Sequence, residues 1–316
     1  MEERLAERAA SDISVVIPFY NRERYIDDAV QSVLAQTLQP LEIIIVNDCS
    51  KESSRSFLER YSKTCRIIDL PVNVGLAGCR NAGIRAARGR FVALLDDDDI
   101  WLPRKLEEQR KLLDDQPSCS GVHSAVWLML PDQEQEYYLR FGSGCMTLAE
   151  ALTNDRWVIP STMMFRTEVI RALGGFDPRF RICEDRDLII RFCAAGYEIE
   201  GIPVPLTRLR REGQSSLTSQ RWRIFGGDLK TCWKHRRLFV RVYGLRGIVW
   251  FVLEKLQEPT FGIRYVYGGV RRLLFFVKAR CRIRPDYLEP VGKSKATAPQ
   301  TCRSIDRATL VGGDGL

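Results

Sequence analysis

The sequence predicts an α/β fold: a doubly wound, mostly parallel sheet with helices on both faces. Three observations predict it. Short β-branched runs alternate with segments of helical spacing, the links between them are brief, and each apolar run stops abruptly in polar residues. A strand that returns to the same sheet through a helix must cross over one face, and repeated crossovers produce a parallel sheet.

Each element has its own signal. Ile13–Phe19 (ISVVIPF) is a β-branched run of the kind buried on both faces of a parallel sheet. Residues 24–37 set Ile26, Ala29, Val30, Val33 and Leu34 at helical spacing. Residues 41–46 (LEIIIV) form a second strand, stopped by Asn47-Asp48-Cys49-Ser50, and a helix follows to about Tyr61. A third strand covers 66–70, a helix opened by Gly75 covers 76–87, and a fourth strand, 91–95 (FVALL), runs into Asp96-Asp97-Asp98-Asp99. Beyond it the pattern predicts a helix over 103–116 and strands over 121–130 and 157–165. A Gly174-Gly175 turn and a helix over 187–195 led by Glu184-Asp185 come next, then one or two edge strands within 198–209. From Arg221 the chain reads as helical, apolar and basic.

Bulk properties exclude several classes. With 316 residues, 45% hydrophobic and 28% charged, the chain is globular and not disordered as a whole. The formal charge of +8 is uneven, because residues 221–285 hold 16 Lys and Arg against 3 Asp and Glu. Ten cysteines without a Cys-x-x-Cys pair suggest free thiols in a reducing compartment. The N-terminus is charged and unlike a secretory signal, and the longest apolar run (Ile248 to Leu253) is far below the ~20 residues of a spanning helix. The expected location is cytoplasmic, with peripheral attachment to the inner membrane face as an option. The expected organisation is an extension over 1–11, a catalytic domain over 12–217, a basic amphipathic helical region over 218–288 and a disordered tail over 289–316.

Chemistry concentrates at the strand ends. In doubly wound sheets ligands bind beyond the carboxyl ends of the strands, and those ends carry Tyr20-Asn21, Asn47-Asp48 and Asp96–Asp99. Consecutive carboxylates repel one another unless a cation neutralises them. Mg²⁺ takes one or two carboxylates plus phosphate oxygens, so the run fits a metal-diphosphate site; a solvated acidic turn is the plainer alternative. Asn47-Asp48 fits a turn as well as a nucleoside contact. The glycines at 75, 78 and 83 fit tight packing, or backbone amides near a phosphate together with Arg80. No Gly-x-Gly-x-x-Gly follows the first strand and no Gly-Lys-Ser/Thr occurs, which argues against dinucleotide-dependent dehydrogenases and P-loop ATPases.

Taken together, VVIPFYN (15–21), IIIVNDCS (43–50), NVGLAGCRNAGI (73–84), LLDDDDIW (94–101) and GGFDPRF with CEDRDLIIRF (174–192) resemble the inverting family-2 glycosyltransferases of the GT-A fold. The resemblance covers about residues 12–217. It implies a nucleotide-sugar donor, most simply a UDP-sugar, with Pro18, Tyr20 and Asn21 lining the nucleoside pocket. Asp48 would contact the base, with Arg80 and Asn81 nearby. Asp96 would lie near the ribose and metal, with Asp97 beside it and Asp98 on a Mg²⁺ or Mn²⁺ ion. Asp185 is similar to the general base of that family and Glu184 to a supporting residue; without the resemblance, an acidic helix start favoured by the macrodipole explains both. Trp157 and Ser161-Thr162 are candidates for the acceptor pocket.

Two departures stand out. The family often places a metal-binding His before a Gly-x-Ser, whereas residues 210–215 read RREGQS, so the metal would rest on the aspartates and diphosphate, or Arg211 would partly substitute electrostatically. The Gln-x-x-Arg-Trp motif of processive synthases is absent too, since Arg221-Trp222 follows Gln220 directly. The expected reaction is transfer to a glycan or lipid-linked acceptor in cell-surface polysaccharide or glycolipid synthesis. A catalytically silent nucleotide-sugar-binding protein of the same fold is the alternative, and a nucleotidyltransferase lacks its Gly-rich N-terminal signature. For the basic region, a packed helical appendage and attachment to an anionic membrane surface both fit, while no nucleic-acid recognition motif is present.

Overall fold

The computed structural model describes residues 11–129, 137–139, 144–153, 158–210 and 221–260. The expected extension over 1–11 (all but Ser11), Trp157, residues 211–220 with Arg211, residues 261–288 and the tail lie outside the described residues.

β1 (Ile13–Phe19) is buried along its whole length. α1 (Glu23–Leu34) follows and buries Ile26, Ala29, Val30 and Val33, the stripe that helical spacing requires. β2 (Glu42–Asn47) is equally buried. α2 (Glu52–Phe57) is shorter than expected and tightens into a 3₁₀ turn over Leu58–Tyr61. Ser53, Ser54 and Ser56 weaken the α-helix by competing for its backbone groups. β3 (Arg66–Asp69), α3 (Gly75–Ala86) and β4 (Phe91–Leu94) complete the first half. The strands lie in the order β3-β2-β1-β4, all parallel, so their carboxyl ends share one edge of the sheet.

The second half is mixed in direction. It comprises β5 (Ile100–Trp101), α4 (Lys105–Asp115), β6 (Cys119–Met129), β7 (Tyr137–Leu139), β8 (Gly144–Cys145), α5 (Leu148–Thr153), β9 (Met164–Arg166), α6 (Thr167–Ala172), α7 (Glu184–Ala194) and β10 (Glu198–Arg210). Beyond β4 the order is β9-β6-β10-β5, with β9 antiparallel to both β4 and β6 and β10 parallel to β6. The strand expected over 157–165 reduces to β9, because Pro160–Thr162 forms a 3₁₀ turn. β10 is not an edge strand: it lies between β6 and β5. The register shifts between Ile202 and Thr207 accommodate Pro203 and Pro205 at bulges.

One core cluster joins Val15, Ile17, Phe91 and Ala93 of the sheet to Ile26, Val30 and Leu106 of its helices. On α3 the packing is closer still, since a Cβ on Gly83 would lie 2.2 Å from Val16 Cγ1. The described part of the basic segment, 221–260, is helical. α8 (Arg221–Lys234) buries Asp228, Thr231 and Cys232, and α9 (Arg236–Thr260) breaks at Gly244 (φ 69°, ψ 179°). Phe239, Trp250 and Phe251 of α9 are buried, and the Tyr243 hydroxyl donates to Ala149 O at 2.8 Å. Among the described residues no helix is long and apolar enough to cross a membrane, and all eight cysteines are free thiols.

Candidate active site

The described non-glycine residues with left-handed backbone are Asn21, Cys49 and Cys183, with φ of 51°, 58° and 61°. They follow β1, follow β2 and precede α7. Such conformations cost about 1 kcal/mol or more each and gather at binding sites, where the surrounding fold holds them in place.

The first two loops hold each other. Lys51 N donates to Asn21 Oδ1 at 2.8 Å, and Asn21 N donates to Ser50 Oγ at 3.1 Å. Asn47 donates to Asp69 Oδ1 at 2.8 Å and accepts from Ser50 N at 3.1 Å. Asp48, 3% exposed, accepts from Val74 N at 2.7 Å and Gly75 N at 2.8 Å, which pins the start of α3. Gly75 itself has φ 75°, which a side chain rarely adopts. Pro18 pairs with Val46 inside the sheet, whereas Tyr20 stands half exposed at the rim.

Arg80 is the hub. Its guanidinium is buried, donates to Asp96 Oδ1 and to Glu184 Oε1 at 2.7 Å each, and stacks 5.2 Å from the Phe176 ring centroid. Burial opposes its charge, but the two carboxylates outweigh burial and hold its pKa above the ordinary range. The aspartate turn is thereby tied to the start of α7. Both polar ends of Asn81 bond to the Phe176 backbone, donating at 2.7 Å and accepting at 2.8 Å. Gly175 (φ 67°) lets that contact close, since a Cβ there would lie 2.3 Å from Asn81 Oδ1.

The four aspartates separate by partner. Asp96 faces Arg80, and its N–H donates to Ser161 Oγ at 3.0 Å. Asp97 and Asp98 both face Arg22, at 3.2 Å and closer. Asp99 is buried and accepts from Ser161 Oγ at 2.5 Å and Arg210 N at 3.1 Å. Burial pushes the Asp97 carboxyl up to about 8 against the pull of Arg22, and raises those of Asp98 and Asp99 also. Ser161 and Thr162, candidates for an acceptor pocket, are wholly buried, and Ser161 supports the aspartate turn.

Asp185 is half-buried at the start of α7, where its Oδ1 accepts from Arg186 N at 2.7 Å. Burial, with Glu184 alongside, pushes its carboxyl up to about 7. Its neighbours are clamped by other elements. Glu184 is held by Arg80, and Arg186 pairs with Asp228 of α8 and stacks 4.6 Å from the Phe251 centroid. Asp187 takes Arg191 at 2.9 Å, His235 at 2.8 Å and Lys234 at 2.5 Å. Arg22, Asp228 and His235 were not singled out from sequence, and Ser161 was expected at an acceptor pocket, whereas it bonds to the aspartate turn. Only Arg22 carried a usable signal: it adjoins Asn21 at the same strand end.

The carboxylate turn at the end of β4 lies in a segment that matches a known family. The model for glycosyl transferase family 2 matches residues 14–174. The chain belongs to glycosyl transferase family 2. It is a glycosyltransferase whose matched segment spans β1 to α6 and so includes the aspartate turn. Its similarity extends to a putative teichuronic acid biosynthesis glycosyltransferase of Bacillus subtilis, TuaG, 29% identical over 76% of this chain and 93% of the relative. Among solved structures it is similar to Staphylococcus aureus TarS in complex with UDP-GlcNAc. That likeness has TM-score 0.53 and 17% identity over 85% of this chain and 88% of the other. It is also similar to the mannosyltransferase PcManGT of Pyrobaculum calidifontis in complex with GDP-Man and Mn²⁺. Here the TM-score is 0.56, with 18% identity over 88% of this chain and 82% of the other. At these identities the structural likenesses establish the fold, which is that of GT-A glycosyltransferases.

Proposed function

We propose that this glycosyltransferase moves a sugar, with inversion, from a nucleoside-diphosphate donor to a hydroxyl of a glycan or lipid-linked acceptor in cell-surface polysaccharide synthesis. The observation that carries the reading is Asp185: a half-buried carboxyl pushed up to about 7, linked through Glu184 and Arg80 to Asp96. A general base is most effective when its pKa lies near the working pH. The acceptor oxygen attacks the anomeric carbon, the bond from that carbon to the diphosphate oxygen breaks, and the acceptor proton passes to Asp185. Nucleoside diphosphate leaves with the bonding pair.

On the donor side, Tyr20, Asn21 and Asp48 line the strand ends that would receive the nucleoside, with Pro18 setting the exit of β1. Asn81 acts by position, holding α3 to the 174–176 turn. Asp96 and Asp98, with Asp97 beside them, offer hard oxygen donors, and the carboxylates of the site outnumber the guanidinium groups paired with them. This donor set fits Mg²⁺ or Mn²⁺. Among the described residues no cluster of three or more metal-binding side chains forms, so diphosphate and water would complete the shell. When bound, the ion supplies Lewis-acid stabilisation of the leaving diphosphate. UDP-GlcNAc in TarS and GDP-Man with Mn²⁺ in PcManGT support a nucleotide-sugar donor and a divalent ion, and a UDP-sugar is the first to test.

The domain limits proposed are 12–217 for catalysis and 218–288 for the basic region. The latter supports attachment to an anionic membrane surface, which suits a lipid-linked acceptor. Trp222, Leu229 and Trp233 recur on one exposed face of α8, and Arg223, Lys230, Arg236 and Arg237 are exposed nearby. Purified protein incubated with UDP-sugars, Mn²⁺ and glycan acceptors should release UDP and give product of inverted anomeric configuration by NMR. Donor binding without turnover across acceptors would favour the silent binding protein instead.

A further inference from the structure

We propose that Arg22 is the resident counter-ion of the aspartate turn, and that the divalent metal displaces it from Asp98 when the site is loaded. The proposal rests on the metal reading above. Two guanidinium groups of opposite character pair with the site's carboxylates. Arg80 has a side chain only 2% exposed, locked between Asp96 and Glu184, so it is part of the framework. Arg22 has a side chain 42% exposed and touches Asp97 Oδ1 at 3.2 Å and Asp98 Oδ2 more closely, through the same Nη1. Asp98 is itself 28% exposed, so the pair is open to solvent and to an arriving ion.

The position of Arg22 has a backbone cause. Asn21 takes a left-handed conformation (φ 51°) and Arg22 is the N-cap residue of α1 without a capping bond of its own, which turns the chain at the end of β1. The side chain reaches across to the end of β4, 75 residues later in the chain. Asp97 and Asp98 are like charges in a partly desolvated turn, and one must lose its charge or gain a cation. Arg22 meets that need before the metal is present. A carboxylate oxygen in contact with a guanidinium cannot also enter the inner shell of a divalent cation without bringing two positive charges together. Arg22 and the metal therefore compete for Asp98. Arg22 is a positioning residue, holding the two carboxylates in place until exchange.

The test measures Mn²⁺ binding to the full chain without donor, by the free-ion EPR signal, in wild type, Arg22→Met, Arg22→Lys and Arg24→Met. Arg24 is exposed and lies over the Tyr25 ring, 5.3 Å from its centroid, so its loss reproduces the charge change without the pairing. Arg22→Met should bind Mn²⁺ roughly 3- to 10-fold more tightly than wild type, the scale of one part-exposed ion pair removed. Arg22→Lys and Arg24→Met should stay close to wild type. Arg22→Met should also melt lower than wild type without Mn²⁺, and the gap should close at saturating Mn²⁺. Equal or weaker binding by Arg22→Met overturns the exchange, as does equal tightening in Arg24→Met. If Arg22→Met does not fold, Arg22→Gln carries the same expectation and the same reversal. Absence of Mn²⁺ binding in every form, even with UDP added, overturns the metal reading and this proposal together, an outcome distinct from equal binding.

Discussion

Four consecutive aspartates with identical chemistry have different partners here: Arg80 for Asp96, Arg22 for Asp97 and Asp98, and Ser161 with the Arg210 backbone for Asp99. The run and its place at a strand end were legible in the sequence, but this division was not. Each partner arrives from another segment, and nothing local in DDDD distinguishes the positions. Asp185 carries the clearest prediction at this scale. Its carboxyl is raised to about 7 by burial and Glu184, with Asp96 adding to the shift and Arg80 opposing it. The active form of a base is the ionised one, so kcat/KM should climb as pH rises through about 7 and level off above it. A pH–rate profile measured with a UDP-sugar checks this. For stability the sign is opposite. A raised carboxyl favours the neutral form in the fold, so the ionised group weakens the protein as pH rises from the unfolded value of about 4 through 7. Asp185→Asn should therefore melt higher than wild type above pH 7.

At the scale of elements, the site depends on how α3 and α7 are held. α3 packs so tightly on β1 that Gly83→Ala forces its Cβ to within 2.2 Å of Val16 Cγ1. The change should cost about 1–3 kcal/mol, read from urea unfolding. α7 is fixed at its start by Arg186, which is buried and paired with Asp228 of α8. Asp228→Ala leaves that guanidinium without its carboxylate and should cost about 3–5 kcal/mol. It should lower kcat more than it raises donor KM, because the base moves while the nucleoside site stays. Most strands and helices were legible from periodicity. β10 was expected at an edge but lies between β6 and β5, a pairing fixed by segments far away in the chain that periodicity does not reveal. The clamp on α7 could not be read because Asp228 and His235 lie more than 40 residues from their partners.

At the scale of the molecule, the parallel half gathers Tyr20, Asn21, Asp48 and the aspartate turn on one edge, and the C-terminal helices brace α7, which carries Asp185. The sequence motifs identified the family because they sit at strand ends, where backbone direction leaves little freedom. The basic region was legible as helical and amphipathic through Thr260, but not as a support for α7, since composition does not reveal which carboxylate a buried cation will meet. If its exposed face meets lipid, the protein should float with anionic vesicles at low salt and be released at high salt. Trp222→Ala combined with Trp233→Ala should abolish flotation while leaving donor binding intact.

The central claim, that Asp185 takes the acceptor proton at a site built around Asp96 and Asp98, is tested most directly by Asp185→Asn. The variant should bind the UDP-sugar as tightly as wild type and lose about 10²–10⁴-fold in turnover. Turnover within a few-fold of wild type, at unchanged donor affinity, would contradict it.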